Sequence, residues 1–191
     1  LLATGAAPTV PSIQGVDLDC VFTLSSLDDA EGIREALEAD AVTEDLVGTS
    51  DGEVVGFLRE RDPKTVAVIG GGYIGLEMAD VLQSRGCTVH LFQRSSHVLS
   101  TYDEEIAMVV ENHLRENEVS LHLDAGVTAI EQQAGTKSVV TEGGQTPVDM
   151  VVLGTGVRPR TALAEAAGIS LGSSGAVATD EYRETSVPDV Y

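Results

Sequence analysis

The chain has 191 residues, 42% of them hydrophobic, which suits one large domain and is too apolar for wholesale disorder. Its 31 acidic residues face 11 basic ones, a net charge of -20 that repels phosphate backbones and disfavours a nucleic-acid surface. No apolar run is long enough to span a bilayer and no basic, apolar leader opens the chain, so neither a membrane segment nor a secretory signal is expected. Self-repulsion of this size destabilises a compact state unless salt screens it; at molar salt the Debye length falls to about 3 Å. The expectation is a cytoplasmic protein of a salt-loaded, halophilic cell, with an ordinary acidic protein as the plainer alternative. Cys20 and Cys87 are too few for a disulfide framework and read as reduced structural thiols.

In chain order, "LLATGAAP" reads as a buried strand already in progress, followed by a Gly-Ala-Ala-Pro turn. Val21–Leu24 reads as a short strand and Asp28–Leu37 as a helix whose acidic start suits a helix N-terminus. Residues 40–62 carry turn signals around Gly48–Gly52, then a short apolar piece before Pro63. Lys64–Ile69 is a strand. Ile74–Arg85 is a helix, with Ile74, Met78, Val81 and Leu82 at helical spacing and Gly86 placed to end it. Thr88–Phe92 is the next strand. Asp103–Asn117 is a helix with Ile106, Val109, Val110 and Leu114 on one face, and Val119–Leu123 is a third strand. The period then changes to two: Val127–Glu131, Ser138–Thr141 and Gln145–Val148 read as antiparallel strands with turns at Gly135 and Gly143-Gly144. Asp149–Leu153 is a continuous apolar strand, Thr161–Gly168 a short helix, and Gly175–Thr179 and the region near Val187 read as strand pieces. The expected fold is α/β, a Rossmann-like parallel sheet built on a βαβαβ unit plus a three-stranded antiparallel β-meander. Both ends fall inside apolar elements, so the expectation is a fragment of a longer protein.

Between the strand ending at Ile69 and the following helix stand Gly70, Gly71 and Gly72, with Gly75 completing G-x-G-x-x-G. Gly70 suits the tight turn out of the strand, Gly72 a close backbone approach to a pyrophosphate, and Gly75 close packing of helix on strand. The amides at the helix start, Tyr73 and Ile74 among them, then face the phosphates. With both flanking elements present, the pattern points to dinucleotide binding rather than a glycine-rich packing turn. The second strand of such a unit ends in an acid that accepts from the ribose of NAD. Here Gln93 holds that position and Arg94 follows. A glutamine does not repel a 2′-phosphate and an arginine can pair with it, which leans towards NADP(H) or tolerance of both nucleotides; the alternative for Arg94 is a solvated surface charge. His97 reads as a loop histidine. His90, His113 and His122 show no metal-ligand spacing, and no metal is expected.

"VAVIGGGYIGLEMADVLQSRG", "VVLGTGVRP" and "LLATGAAP" together resemble the pyridine nucleotide-disulfide oxidoreductase family across nearly the whole chain, and three motifs in the right order make the resemblance specific. "HLFQRSSHVLSTYDEE" and "GAVATDEYRETSVPDVY" look most like its coenzyme A-disulfide reductase and NADH oxidase branch. The resemblance implies residues 1–17 as the end of an FAD-domain segment and linker, 18–153 as an inserted NAD(P)H-binding domain, and 154–191 as the return towards the FAD domain. It implies hydride passing from NAD(P)H to FAD and on to a small disulfide, such as coenzyme A disulfide, or to oxygen. The FAD-binding motif and redox cysteine would lie upstream of Leu1 and a dimerisation domain downstream of Tyr191. The parent would then be a homodimer, and this chain would hold no catalytic cysteine and be inactive by itself. Tyr73 matches the tyrosine that covers the flavin until nicotinamide displaces it, and Glu77 a glutamate that orients the carboxamide; as residues, they read equally as a packing aromatic and an exposed acid. Thr155 and Gly156 match the loop beside the nicotinamide ribose, and Thr4 and Gly5 a contact near the FAD adenosine. Residues 40–62 are longer than the family pattern, and Gln93 departs from it. The related alternative is an NADH-dependent ferredoxin or rubredoxin reductase module; the alternative of another class is a non-catalytic NAD(P)H-sensing module.

Overall fold

The computed structural model describes residues 1–38, 64–133 and 136–191. In chain order the elements are β1 (Ala6–Pro8), β2 (Val21–Thr23), α1 (Leu27–Glu38), β3 (Thr65–Ile69), α2 (Tyr73–Ser84), β4 (Thr88–Phe92), α3 (Glu104–Glu116) and β5 (Ser120–His122). Then follow β6 (Val127–Gln133), β7 (Thr136–Thr141), β8 (Gly144–Val148), β9 (Met150–Leu153), β10 (Val157–Pro159) and α4 (Ala162–Ala166). They fall into two compact units, Val10–Thr155, which takes in residues 10–17, and Leu1–Thr9 with Gly156–Tyr191.

In the larger unit, five parallel strands form a sheet of order β2-β9-β3-β4-β5. The central strands are covered on both faces, which is why β3 and β9 read as unbroken apolar runs. Alternate side chains serve opposite faces. Val66, Val68, Val89, Leu91, Met150 and Val152 pack with Met78, Ala79 and Leu82 of α2, Ile33 and Leu37 of α1, and Ala107 and Leu114 of α3. Ala67, Ile69, Phe92, Val151 and Leu153 pack with Ile130, Val139 and Val148 of the antiparallel sheet β6-β7-β8. The unit is therefore three layers: helices, parallel sheet, meander. The expected fold class is the observed one. In the smaller unit β1 pairs antiparallel with β10, and Thr9 N–H donates to Gly156 O at 2.8 Å.

Several expectations change. Leu1 is almost fully exposed, and the first strand is Ala6–Pro8, where the sequence had suggested the turn. Gly175–Thr179 and the region near Val187 form no strand; a single bridge, Leu171 to Val177, is what two short stretches rich in small and polar residues sustain. The face of α3 is rotated from the one expected. Ala107, Glu111 and Leu114 are buried and Val110 partly so, while Ile106 and Val109 are exposed, Val109 by 70%. A buried carboxylate, Glu111, displaces the valine because its oxygens find partners in His97 and in Val98 N–H. The 40–62 segment and the Gly135 turn lie outside the described residues. Among the described residues no helix is long and apolar enough to cross a membrane.

Candidate functional site

Two glycines, Gly70 and Gly75, lock the exit of β3 to the start of α2. Gly70 has φ 110°, a conformation closed to ordinary side chains, and a Cβ there would lie 2.4 Å from Gly154 O. A Cβ on Gly75 would meet Gly70 O at 1.8 Å, so α2 rests directly on the turn. Gly72 is different: it has an extended backbone, φ -86° and ψ -175°, and a Cβ there would meet nothing within 4 Å. Its bare backbone faces open space. Leu76 N–H makes the first helical bond, to Gly72 O at 2.9 Å, and no side chain caps the helix. The amides of the first turn therefore point outwards with the positive end of the helix dipole behind them, a seat for an anion.

Gly71 is held differently. Its N–H donates to Gln93 Oε1 at 3.0 Å and its carbonyl accepts from Leu99 N–H at 2.9 Å. Gln93 Nε2 donates in turn to Ser95 Oγ and to His97 O, both at 3.2 Å. The glutamine side chain thus fastens the end of β4 to the glycine turn, and its amide is spent there. The backbone from Gln93 continues the ladder beyond β4: Gln93 N–H donates to His122 O, Ala125 N–H to Gln93 O and Asp124 N–H to Ser95 O. Arg94 stands exposed on this extended stretch, beside the open Cα of Gly126, and among the described residues no hydrogen bond or ion pair engages its guanidinium.

Tyr73, the first residue of α2, is exposed; its hydroxyl shares a 2.5 Å hydrogen bond with Tyr102, and the two rings meet edge to face. That bond pushes the Tyr73 phenol up from its ordinary value. Glu77 is exposed one turn later on the same side, and both line a groove of about 380 Å³ between α2 and α3. Thr155 follows Gly154 at the point nearest Gly70. Gly156 belongs to the smaller unit with Thr4 and Gly5, and Thr4 Oγ1 donates to Arg160 O at 2.6 Å. Ile74 is partly buried against the helical layer.

Cys20 and Cys87 are free thiols, and burial pushes the Cys87 thiol up, away from the reactive thiolate. His90 Nδ1 lies 3.0 Å from His122 Nε2 on the neighbouring strand, with Phe92 stacked on His122. Among the described residues no group of three or more His, Cys, Asp or Glu side chains is placed to hold a metal ion. The sequence reading missed Glu111, which lies between Ala107 and Leu114 on the buried stripe of α3. Its four- and three-residue offsets from those two were the available signal.

The sequence matches the pyridine nucleotide-disulphide oxidoreductase family over residues 1–191. It is 38% identical over 192 residues to the CoA-dependent NAD(P)H sulfur oxidoreductase of Pyrococcus furiosus, covering all of this chain and 38% of that protein. Its fold superposes with a TM-score of 0.81 on an NAD-dependent persulfide reductase from A. fulgidus, 35% identical, covering 98% of this chain and 31% of the other. It superposes with a TM-score of 0.79 on an engineered water-forming NADPH oxidase bound to NADPH, 28% identical, covering 98% and 36%. That oxidase derives from the NADH oxidase of Lactobacillus brevis. The chain thus spans well under half the length of the proteins it matches. A glycine turn locked to an uncapped helix, a parallel sheet under a meander and a match along the full sequence agree: the chain belongs to the pyridine nucleotide-disulphide oxidoreductase family.

Proposed function

We propose that Val10–Thr155 is the NAD(P)H-binding unit of an FAD-dependent oxidoreductase, and that it prefers NADPH. When bound, NAD(P)H supplies a hydride and FAD accepts it, for delivery to a small disulfide or persulfide or to oxygen. The residues of this chain fit the nucleotide. Gly72 leaves the space that a pyrophosphate needs, and the first-turn amides of α2 bind its oxygens. Tyr73 and Glu77 line one groove, where the first gates the nicotinamide and the second orients its carboxamide. Thr155, next to Gly154 at the glycine turn, lies beside the ribose. The FAD and dimerisation domains belong to the rest of the parent, a homodimer, and the charge of -20 fits the cytoplasm of a halophile.

The observation that carries the nucleotide preference is Arg94, an exposed residue just past the end of β4 whose guanidinium has no hydrogen bond or ion pair among the described residues, next to a glutamine whose amide is already engaged. The engineered NADPH oxidase supports the same reading by its chemistry. At three consecutive positions it has aspartate changed to alanine, alanine to arginine and methionine to serine, and it binds NADPH. This chain reads glutamine, arginine, serine at Gln93-Arg94-Ser95, again without the acid. The test is a titration of the chain with NADH and with NADPH in molar potassium chloride. NADPH is expected to bind more tightly, and Arg94→Ala to weaken NADPH by about tenfold while leaving NADH within about twofold, the loss of one charge-assisted pair. Tighter NADH binding, indifferent to Arg94→Ala, would reverse the preference. Binding of neither would remove the nucleotide reading for this chain.

A further inference from the structure

The segment that carries Arg94 is anchored at both ends on Gly71, through Gln93 and Leu99. Its middle is anchored elsewhere. Glu111 of α3 is 3% exposed, the one buried acid among the described residues. Its Oε1 accepts from Val98 N–H at 3.2 Å and lies 3.0 Å from His97 Nδ1. Its Oε2 lies 3.5 Å from Arg115 Nη2, and His97 Nε2 lies 3.4 Å from Glu104 Oε1. A buried carboxylate is costly unless it is hydrogen-bonded, and here the bonds reach out of the helix into the loop. The Val98 side chain is fully buried under Gly71, where a Cβ would meet Val98 Cγ1 at 2.9 Å. Leu99 takes φ 47°, a left-handed conformation that a leucine keeps only where its surroundings impose it.

We propose that Glu111 is a positioning residue for the nucleotide site. Through Val98 and His97 it holds residues 93–99 in the one conformation that presents Arg94 to a 2′-phosphate, and so it sets the choice between NADPH and NADH without touching either. The inference rests on the Arg94 reading above. Without the carboxylate, Val98 N–H loses its buried acceptor and His97 keeps one weak partner. The strained turn at Leu99 then relaxes and Arg94 loses its fixed direction. The start of α2, whose amides serve both nucleotides, is held apart from residues 94–98: Gly70 N–H donates to Phe92 O, Leu76 N–H to Gly72 O, and Gly75 packs directly on Gly70 O.

The test compares NADPH and NADH dissociation constants for the wild-type chain, Arg94→Ala, Glu111→Leu and Glu111→Gln in molar potassium chloride, with amide exchange followed at Val98 and Leu99. Glu111→Leu is expected to weaken NADPH by about tenfold and NADH by less than about threefold, and to speed exchange at both amides. Glu111→Gln keeps an oxygen for Val98 N–H and restores NADPH to within about threefold of wild type. If Glu111→Leu does not fold, His97→Ala carries the comparison: loss of NADPH preference supports the role, and retained preference overturns it. Equal loss of both nucleotides, or a wild-type ratio in Glu111→Leu while Arg94→Ala abolishes it, overturns the positioning role and leaves Arg94 standing. If the wild type and Arg94→Ala show one and the same ratio, the Arg94 reading falls and the positioning role with it.

Discussion

Gly72 and Gly75 stand three positions apart in one motif and answer to different demands. A methyl on Gly75 would overlap a backbone oxygen, Gly70 O, at 1.8 Å. That oxygen cannot yield without moving the turn, so Gly75→Ala is expected to cost more than the roughly 1–3 kcal/mol of ordinary overpacking. A methyl on Gly72 meets nothing within 4 Å and its backbone is already extended. Gly72→Ala is therefore expected to leave stability within about 1 kcal/mol of wild type and to weaken either nucleotide by about tenfold or more, because the new group stands where a phosphate must approach. Urea melts of the two variants, paired with nucleotide titrations, check both halves. A Gly72→Ala chain as unstable as Gly75→Ala would mean that Gly72 serves the fold alone. The two outcomes together would separate fitness for the ligand from fitness for the fold within six residues.

Between elements, the pairing of β4 with β5 brings His90 against His122 and has a consequence in acid. Burial holds both imidazoles below the ordinary histidine value of 6.5, and for His90 the neighbouring His122 charge adds to it. Their folded-state values lie below the unfolded ones, so below 6.5 the unfolded chain binds more protons. Stability that is present above that value is lost as the pH falls through the lowered folded values. Replacing both histidines with glutamine is expected to reduce the drop in urea midpoint between about pH 7 and about pH 5; an unchanged drop would place the acid sensitivity elsewhere. The same strands show what a sequence discloses. The β3-turn-α2-β4 run is legible because apolar period, glycine chemistry and strand length agree, and its observed bounds fall within a residue of those expected. The face of α3 was not legible from hydrophobicity. Ile106 and Val109 carry the apolar signal, but the stripe is set by Glu111, whose partner His97 lies in a loop fourteen positions away. Gln93 is a similar case: its position was readable, while the destination of its side chain, a backbone amide 22 positions earlier, was not. Periodicity reports what one element does to its own faces, and these two contacts join different elements.

At the scale of the whole molecule, 31 acids against 11 bases leave a surface that repels itself. Potassium chloride is expected to raise the melting temperature steadily up to molar concentrations as the Debye length shrinks from about 10 Å to about 3 Å. An uncharged osmolyte at equal osmotic strength serves as the control. Equal stabilisation by both would assign the gain to solvent exclusion instead of screening. The antiparallel ribbon of β1 and β10 has a consequence of another kind. The polypeptide passes out at Thr9 and comes back at Gly156, and those two residues are joined by one 2.8 Å hydrogen bond. Everything from Val10 to Thr155 is therefore a detour with adjacent doorways. Cut there and bridged by a tight turn, the strands on either side become an ordinary hairpin, while the removed stretch has ends near enough to be tied together or opened at another loop. A chain organised this way can gain, lose or exchange the whole of Val10–Thr155 as a unit, because the only covalent memory of the exchange is a pair of neighbouring peptide bonds.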